Sequence, residues 1–332
     1  MNRDHAAGLI SRFAQQRVLV IGDLMLDEFV WGKVSRISPE APVPVVNVTA
    51  ESYYPGGAAN VARNLREFTP AVSVIGVTGT DEAGDRLAEL LRGCGIDTSG
   101  VLRDASFTTA LKTRIIARNQ QVVRVDRERN TLLTPGQMEA LMGQCEEAIA
   151  KSGGVVVADY GKGFLTQALA DFICRTARKH GKVLAVDPHP HTLLAWKGAT
   201  AVKPNRLEAF LAASVPWSEA AHPALHDTAL LEAARRLMDS WQPRLLLITL
   251  GEQGMLLFQP DTPPYHTPTC AKDVFDVSGA GDTAIAVLTL GLCAGTTPVE
   301  AAELANHASG IVVGKLGTAT TNARELEESF SA

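Results

Sequence analysis

The chain has 332 residues, of which 46% are hydrophobic and 20% charged, and its formal net charge at pH 7 is −5. This composition is typical of a globular protein with a large core, and it excludes a disordered chain and the basic surface of a nucleic-acid-binding protein. No apolar run reaches the roughly 20 residues of a membrane span. Residues 1–16 carry charged and polar side chains where a signal peptide has an apolar stretch. We therefore expect a cytoplasmic protein.

Short apolar runs alternate with helix-like segments along most of the chain. Six runs are almost continuously apolar, as expected for parallel strands buried on both faces; they are residues 17–22, 72–77, 154–159, 182–187, 200–203 and 244–250. Four segments have apolar residues at the three- and four-residue spacing of helices; they are residues 60–68, 83–92, 166–180 and 228–241. The alternation predicts an α/β fold with helices on both sides of a parallel sheet.

Two stretches break this alternation. Residues 29–49 contain VPVV preceded by a proline, and in residues 108–126 charged and apolar side chains roughly alternate. Both patterns predict antiparallel strands with one wet face, which would suit a small sheet covering a ligand or an ordinary extra hairpin. The sequence has no internal repeat, low-complexity segment or linker. We predict one domain over residues 1–332, with lid segments at about 29–49 and 108–126.

The segment DVSGAGDT, residues 276–283, precedes an apolar helical run. We expect Gly279, Ala280 and Gly281 to open a helix, where small residues leave backbone N–H groups and the positive end of the helix dipole open to an anion. A phosphoryl group in transfer carries negative charge that such a helix start stabilises. Asp282, in the first turn, can accept the proton of an attacking hydroxyl. For this segment alone, a glycine-rich turn with a plain helix-start aspartate is the alternative.

DVSGAGD resembles the DTxGAGD signature of the ribokinase-like carbohydrate kinase family, also called PfkB, with Val277 in place of threonine. The resemblance implies a three-layer α/β/α sandwich with a small β-sheet lid, and ATP and Mg²⁺ as cofactors. It implies that Asp282 is the catalytic base, and that the amides of Gly279, Ala280 and Gly281 form the anion hole. Asp276 would lie near the phosphates or a cation. Potassium there is compatible with the sequence but not required by it.

Further motifs match the nucleotide-binding half of the family. KPNRLE, residues 203–208, contains the NxxE motif, which in the family holds magnesium and the triphosphate largely through water, as suits this strongly hydrated ion. Alone, NxxE is equally typical of a helix N-cap with an acid in the first turn. TLGEQG, residues 249–254, resembles the T-x-G-x-x-G loop, although two turn glycines between strands look the same. The implied nucleotide-binding residues are Lys203, Asn205, Glu208, Thr249, Gly251, Gly254 and Asn306, with Asn205 and Glu208 also nearest to magnesium.

The acceptor side of the family is matched in the N-terminal half. PGGAANVA, residues 55–62, resembles the GGxxxN substrate motif with a proline in place of its first glycine, and it keeps Gly56, Gly57 and Asn60. Asp27 occupies the position of the family's sugar-binding aspartate, and Asp23 is placed to join it. A carboxylate at the carboxyl end of a strand is well placed to accept hydrogen bonds from hydroxyl groups.

Two segments indicate which sugar the chain phosphorylates. SRISPEAPVPVV, residues 35–46, and DYGKG, residues 159–163, resemble the D-glycero-D-manno-heptose 7-phosphate kinases of lipopolysaccharide core synthesis. A sugar that already carries a phosphate needs cations at its far end, and alternation puts Lys112, Arg114 and Arg118 on one strand face. For any one cation, a charged and solvated strand edge is the alternative. The candidate phosphate ligands are Lys112, Arg114, Arg118, Arg124, Arg127 and Lys162.

The implied reaction moves the γ-phosphoryl group of ATP to the anomeric hydroxyl of heptose 7-phosphate. A kinase for another sugar phosphate, such as a ketohexose phosphate, and a non-catalytic nucleotide- or sugar-binding protein are the alternatives. A Rossmann-type dehydrogenase is disfavoured, because GDLMLD follows the first strand where GxGxxG is required. The sequence has no HxGH-type motif, so we expect the nucleotidyltransferase that follows some of these kinases to lie on another polypeptide. The resemblance also implies a homodimer that pairs through the lid.

Overall fold

The computed structural model describes residues 1–117, 120–129, 132–192, 194–271, 273–315 and 317–331. Its strands are β1 (Arg17–Gly22), β2 (Leu24–Ile37), β3 (Pro44–Gly57), β4 (Ala71–Thr78), β5 (Asp97–Arg103), β6 (Ala110–Ala117), β7 (Gln120–Arg127), β8 (Gly154–Ala158), β9 (Val183–Asp187), β10 (Ala201–Val202), β11 (Leu245–Thr249), β12 (Met255–Gln259) and β13 (Thr262–Thr267). Its α-helices are α1 (Arg3–Ile10), α2 (Ala58–Arg66), α3 (Glu82–Gly93), α4 (Pro135–Lys151), α5 (Gln167–Lys179), α6 (Arg206–Ala212), α7 (Thr228–Trp241), α8 (Ala280–Cys293), α9 (Pro298–Val313) and α10 (Ala323–Glu328).

The larger sheet has nine strands in the order β13-β12-β11-β10-β9-β8-β1-β4-β5. Neighbouring strands pair in parallel along the part of this order that runs β11-β10-β9-β8-β1-β4-β5. β12 and β13 add an antiparallel edge. Successive side chains enter opposite faces: Val18 and Val20 pack towards helices α1, α2, α8 and α9, whereas Leu19 and Ile21 pack towards α4, α5 and α7. Burial on both faces is the reason that these strands are continuously apolar.

The six predicted parallel strands correspond to β1, β4, β8, β9, β10 and β11, and the four predicted helices to α2, α3, α5 and α7. The sequence patterns of these elements were clear because the strands are buried on both faces and each helix buries one apolar face against the sheet. The antiparallel edge strands β12 and β13 were not predicted. No helix in the described part of the chain is both long and apolar enough to cross a bilayer.

A second sheet of four strands, in the order β3-β2-β6-β7, projects from the first. β2 pairs with β3 and β6 with β7 in antiparallel fashion, as expected, but β2 and β6 are parallel. Sequence patterns did not reveal that parallel pairing. The structure also differs from the expected single wet face, because every residue of β7 is exposed. We call these four strands the small sheet.

The carboxyl ends of the parallel strands meet at one edge of the large sheet. Asp23 follows β1, Asp159 follows β8, Asp187 ends β9, Lys203 follows β10 and Thr249 ends β11. In open α/β sheets, ligands bind outside this edge. The small sheet begins immediately after β1, and it therefore leaves the large sheet beside the same edge.

Candidate functional site

Helix α8 begins at the edge where the strands end. Gly279 is its N-cap residue, in a left-handed conformation with φ of +82°, and no side chain caps the helix. Glycine adopts this conformation without the strain that a Cβ atom would add. The structure thus has the helix start where the sequence predicted it. Its first N–H groups have no side-chain partner among the described residues. The Ala280 N–H donates to the Val277 carbonyl at 3.3 Å, and the uncapped helix start can receive an anion.

Asp282 lies in the first turn of α8 and is only 8% exposed. The Asn60 amide donates a hydrogen bond to its Oδ2 atom at 2.6 Å, and the Tyr160 hydroxyl donates to its Oδ1 atom. Burial raises the pKa of Asp282 to about 6, against the lowering effect of the two hydrogen bonds. The carboxyl group is therefore ionised at pH 7, with a pKa close to the range of an effective general base.

A buried ion pair lies beside the same helix start. Lys203 Nζ is 3.0 Å from Asp187 Oδ1, and both side chains are largely buried. A Cβ atom on Gly281 would lie 3.5 Å from Lys203 Nζ, which puts the ammonium group against the first turn of α8. Burial alone would lower the pKa of Lys203, but Asp187, followed by Glu208, outweighs it and the pKa is raised. A permanent cation and a helix N-terminus thus face one space.

The NxxE residues Asn205 and Glu208 cap helix α6 reciprocally. The Glu208 N–H donates to Asn205 Oδ1 at 2.9 Å, and the Asn205 N–H donates to Glu208 Oε2 at 2.7 Å. This is the helix-cap geometry that was the alternative for the motif. Glu208 also lines a cavity of about 610 Å³ together with Asp187 and Asp282. Burial and then Asp187 raise its pKa to about 7.

The oxygen atoms that line this cavity fit a hydrated magnesium ion. The cavity presents carboxylate and amide oxygens from Asp187, Asn205 and Glu208, and Mg²⁺ prefers oxygen ligands while keeping several waters. Across the described ranges, no group of three or more His, Cys, Asp or Glu side chains is arranged to hold a metal ion. A magnesium ion bound here would therefore need water and phosphate oxygens as well.

A second cavity, of about 660 Å³, lies between the loop after β11 and helix α9. Its size suits a nucleotide. The predicted nucleotide-binding residues that line it are Thr249, Gly251, Gly254 and Asn306. It shares Gly251 and Gly281 with the cavity that Asp282 lines, so the two cavities are adjacent.

Two of the predicted residues shape the loops of these cavities. Asn306 donates to the Pro268 carbonyl at 2.7 Å, and this bond fixes the loop beside the wall of the 660 Å³ cavity. Asp276 Oδ1 accepts the Ser278 N–H at 2.9 Å and so shapes the turn before α8. The structure therefore assigns both side chains a local structural contact.

On the acceptor side, Asp27 accepts a hydrogen bond from Arg114 at 2.5 Å. A Cβ atom on Gly56 would lie 2.5 Å from Asp27 Oδ2, so glycine lets the two strands approach here. Asp23 makes different contacts, because its Oδ2 atom accepts the N–H groups of Tyr160 at 2.8 Å and Lys162 at 3.3 Å. Asp23 therefore anchors the loop that carries these two residues.

The predicted phosphate ligands fall into distinct environments. Burial and then the charge of Lys162 lower the pKa of Lys112, so these two cations share one region. Lys162 is paired with Glu128 at 2.7 Å, and the exposed Arg124 pairs with Asp126 at 2.8 Å.

One of the described candidate cations does not join that region. Arg127 lines a separate cavity on the opposite face of the small sheet, together with Glu28 and Glu51. The alternation of side chains along β7 accounts for this, because Arg124 and Arg127 are an odd number of residues apart. Arg118 lies outside the described residues.

Sequence reasoning missed two residues of this site, Tyr160 and Asp187. Tyr160 was within the DYGKG segment, but only Lys162 was chosen from it. Asp187 ends an apolar run that was correctly predicted to be a strand. The signal that could have found both is their position, since each lies at the carboxyl end of a parallel strand.

Curated relatives match nearly the whole chain. It is 44% identical over 319 residues to "Bifunctional protein HldE" of Desulfatibacillum aliphaticivorans, covering 96% of this chain and 64% of the relative. It is 42% identical over 327 residues to the protein of the same name from Geobacter metallireducens, covering 98% of this chain and 65% of the relative. The chain thus spans a little under two thirds of the length of these relatives.

Solved structures share the fold. Arabidopsis thaliana ribokinase complexed with ribose and ATP matches with a TM-score of 0.73 at 16% identity, covering 96% of this chain and 99% of that one. Escherichia coli phosphofructokinase-2 in complex with potassium matches with a TM-score of 0.75 at 20% identity, covering 95% and 98%. The predicted ribokinase-like fold is confirmed. Because the model of the "pfkB family carbohydrate kinase" also matches residues 15–325, this chain belongs to the pfkB family of carbohydrate kinases.

Proposed function

We propose that this carbohydrate kinase transfers the γ-phosphoryl group of ATP to the anomeric hydroxyl of D-glycero-D-manno-heptose 7-phosphate. The product would be the 1,7-bisphosphate, on the route to ADP-heptose and the lipopolysaccharide inner core. The observation that carries the proposal is the position of Asp282, a buried base beside the open start of α8 and the Lys203 ammonium group. Relatives named HldE and the two segments that resemble heptose kinases support this acceptor.

The residues at the helix start divide the chemistry between them. Asp282 accepts the proton of the acceptor hydroxyl while the acceptor oxygen forms a bond to the γ-phosphorus. The bond from that phosphorus to the bridging oxygen breaks, and ADP leaves with the electron pair. The N–H group of Gly281, the positive end of the α8 dipole and the Lys203 ammonium group stabilise charge on the phosphoryl oxygens. An anomeric hydroxyl is more acidic than an ordinary alcohol, which eases the proton transfer.

We assign magnesium to the oxygen atoms of Asn205 and Glu208, which line the same cavity as Asp282. When bound, the ion supplies positive charge to the phosphates. Potassium is the proposed occupant near Asp276, whose carboxylate shapes the turn that precedes α8. Lys112 and Lys162 are the proposed ligands of the acceptor phosphate, with Glu128 as the counter-ion of Lys162 in the free enzyme.

We further propose that the small sheet acts as a lid and pairs with a second copy of the chain. Its outer strand β7 exposes Val122, Val123 and Val125, an apolar edge that a second small sheet would cover. Replacing Val123 and Val125 together with glutamate should shift the sedimentation coefficient to that of a monomer. An unchanged dimer in that variant, or a monomeric wild type, would contradict the pairing.

The experiment measures ADP release with ATP and magnesium over a panel of acceptors: heptose 7-phosphate, unphosphorylated heptose, fructose phosphates and ribose. We expect turnover with heptose 7-phosphate, reduced by about 10²–10⁴-fold in Asp282→Asn because the general base is lost. Asp239→Asn is the matched control, since Asp239 is an exposed helix residue paired with Arg235, and it should keep full activity.

Each other outcome has a definite meaning. Preference for a fructose phosphate would retain the kinase chemistry and overturn the heptose assignment. Equal rates with heptose and heptose 7-phosphate would overturn the role of Lys112 and Lys162 as ligands of the acceptor phosphate. Full activity of Asp282→Asn would overturn the assignment of the base.

A further inference from the structure

The loop after β8 is fixed at two points around Tyr160. The Tyr160 N–H donates to Asp23 Oδ2 at 2.8 Å. Asp159, which precedes Tyr160, accepts the Gly161 N–H at 2.9 Å and the Thr192 hydroxyl at 2.6 Å. Two buried carboxylates thus hold the backbone on either side of Tyr160. The direction of the Tyr160 side chain is therefore set by the framework of the large sheet.

That direction carries the Tyr160 hydroxyl to Asp282, 122 residues away in the sequence. One carboxylate oxygen of Asp282 accepts from Tyr160 and the other from Asn60. The carboxylate plane is fixed by a donor on each oxygen, and each oxygen keeps a second lone pair for an incoming proton. Asp187 and Lys203, which are paired with each other, act on the charge of Asp282, and the carboxylates of Glu208 and Asp159 line the same cavity.

Tyr160 remains a donor throughout the working pH range. Burial, followed by the charge of Asp282 and then of Asp187, raises the pKa of the Tyr160 hydroxyl well above its ordinary value of 10. A phenol with such a pKa keeps its proton at neutral pH, and it can stabilise the ionised form of Asp282 by hydrogen bonding.

We propose that Tyr160 is a positioning residue for phosphoryl transfer, which holds the catalytic carboxylate ionised and in a fixed plane through its hydroxyl. The inference rests on the proposed role of Asp282 as the base. Asp23 would then act on Asp282 indirectly, because Asp23 positions the loop that carries Tyr160. A purely structural tyrosine would fill space with its ring, and loss of its hydroxyl would leave the titration of Asp282 unchanged.

The test measures that titration directly, without substrate. Protein labelled with ¹³C at the aspartate carboxyl carbon is titrated by NMR, and the Asp282 signal is assigned as the one absent from Asp282→Asn. We expect a wild-type midpoint near pH 6, and a midpoint higher by about one pH unit in Tyr160→Phe, because a hydrogen bond to the charged form is lost. Tyr265→Phe is the control, since Tyr265 also donates to a carboxylate, that of Glu303, away from the site.

A second measurement guards against a Tyr160→Phe variant that does not fold. Biosynthetic replacement of the four tyrosines by 3-fluorotyrosine makes each hydroxyl a stronger donor and should lower the Asp282 midpoint. A wild-type midpoint in both altered proteins would overturn the inference. Turnover gives an independent readout: the acid limb of kcat/KM should move upward in Tyr160→Phe with any acceptor that is used. A shifted titration without turnover of heptose 7-phosphate would retain this inference while overturning the proposed acceptor.

Discussion

Asp282 is held in an environment that disfavours its charge. Its pKa of about 6 lies some two units above the ordinary aspartate value of 3.8, with burial as the main cause. Each unit corresponds to about 1.4 kcal/mol of preference for the neutral form. At neutral pH the ionised carboxylate therefore lowers the stability of the folded protein by about 3 kcal/mol. For the proposed base this cost has a reason, because a proton acceptor that works near pH 7 requires this pKa.

We predict that Asp282→Asn changes the stability of the folded protein in a pH-dependent way. Because the pKa of Asp282 is raised in the folded state, its ionisation lowers the stability of wild type above pH 6. This loss of stability disappears as the native carboxyl group takes up its proton between about pH 6 and pH 4. We expect the variant to be more stable than wild type at pH 8, by up to about 3 kcal/mol, and to lose this advantage at pH 4. Urea unfolding at both pH values measures the change. A variant less stable than wild type at pH 8 would contradict the assignment, and Asp239→Asn should show no such pH dependence.

At the scale of elements, the two helix starts beside Asp282 differ from those of α4 and α9. Helices α4 and α9 begin with threonine caps and reciprocal capping boxes. Helices α2 and α8, which carry Asn60 and Asp282, begin instead with the glycines Gly57 and Gly279 at positive φ, and neither has a side-chain cap. A side-chain cap would satisfy the N–H groups that a ligand needs. The absence of a cap at these two helix starts therefore suits ligand binding.

We predict that Gly57→Ala destabilises the folded protein and weakens binding of the acceptor. Gly57 has φ of +57°, and a Cβ atom there would lie 2.7 Å from the Asp23 carbonyl oxygen. We expect a loss of about 1–3 kcal/mol in urea unfolding, together with a higher KM for the acceptor as α2 shifts. Gly143→Ala is the control: Gly143 lies inside α4 with open space around it, so alanine should stabilise by about 0.5–1 kcal/mol. Equal stability of Gly57→Ala and wild type would count against this account of α2.

In the whole molecule, two sheets meet at the catalytic edge. β2 leaves the end of β1 and β3 leads directly into α2, so the small sheet is joined to the large one through residues that flank Asp23 and Gly57. Asp27 and Arg114 form an ion pair across β2 and β6. Movement of the small sheet would therefore change the position of the proposed acceptor ligands relative to Asp282.

The prediction for the whole molecule is that ligands reduce the mobility of the small sheet. With a non-hydrolysable ATP analogue and heptose 7-phosphate together, we expect slower amide hydrogen exchange in β6 and β7 than in the free protein, because closure would shield these strands. Helix α4, on the far face of the large sheet, is the internal reference. Unchanged exchange in β6 and β7, with both ligands shown to be bound, would argue against a lid.

Elements that depend on local patterns could be predicted from the amino-acid sequence. Continuous apolar runs located β1, β4 and β8 to β11, because strands buried on both faces need apolar side chains at every position. The glycine-rich segment before Asp282 located the start of α8, because small residues with a positive φ favour an uncapped helix start. The order of these motifs also gave the family, which the family match confirms.

Which side chains meet depends on how the whole chain is folded. Tyr160 reaches Asp282 across 122 residues, and Asn60 reaches it across 222. The position of each charged group on the small sheet likewise depends on the unforeseen parallel pairing of β2 with β6. Such contacts depend on strand order and register, which are set by the packing of the whole core. Local sequence patterns carry little of that information, because many strand orders bury the same apolar runs equally well.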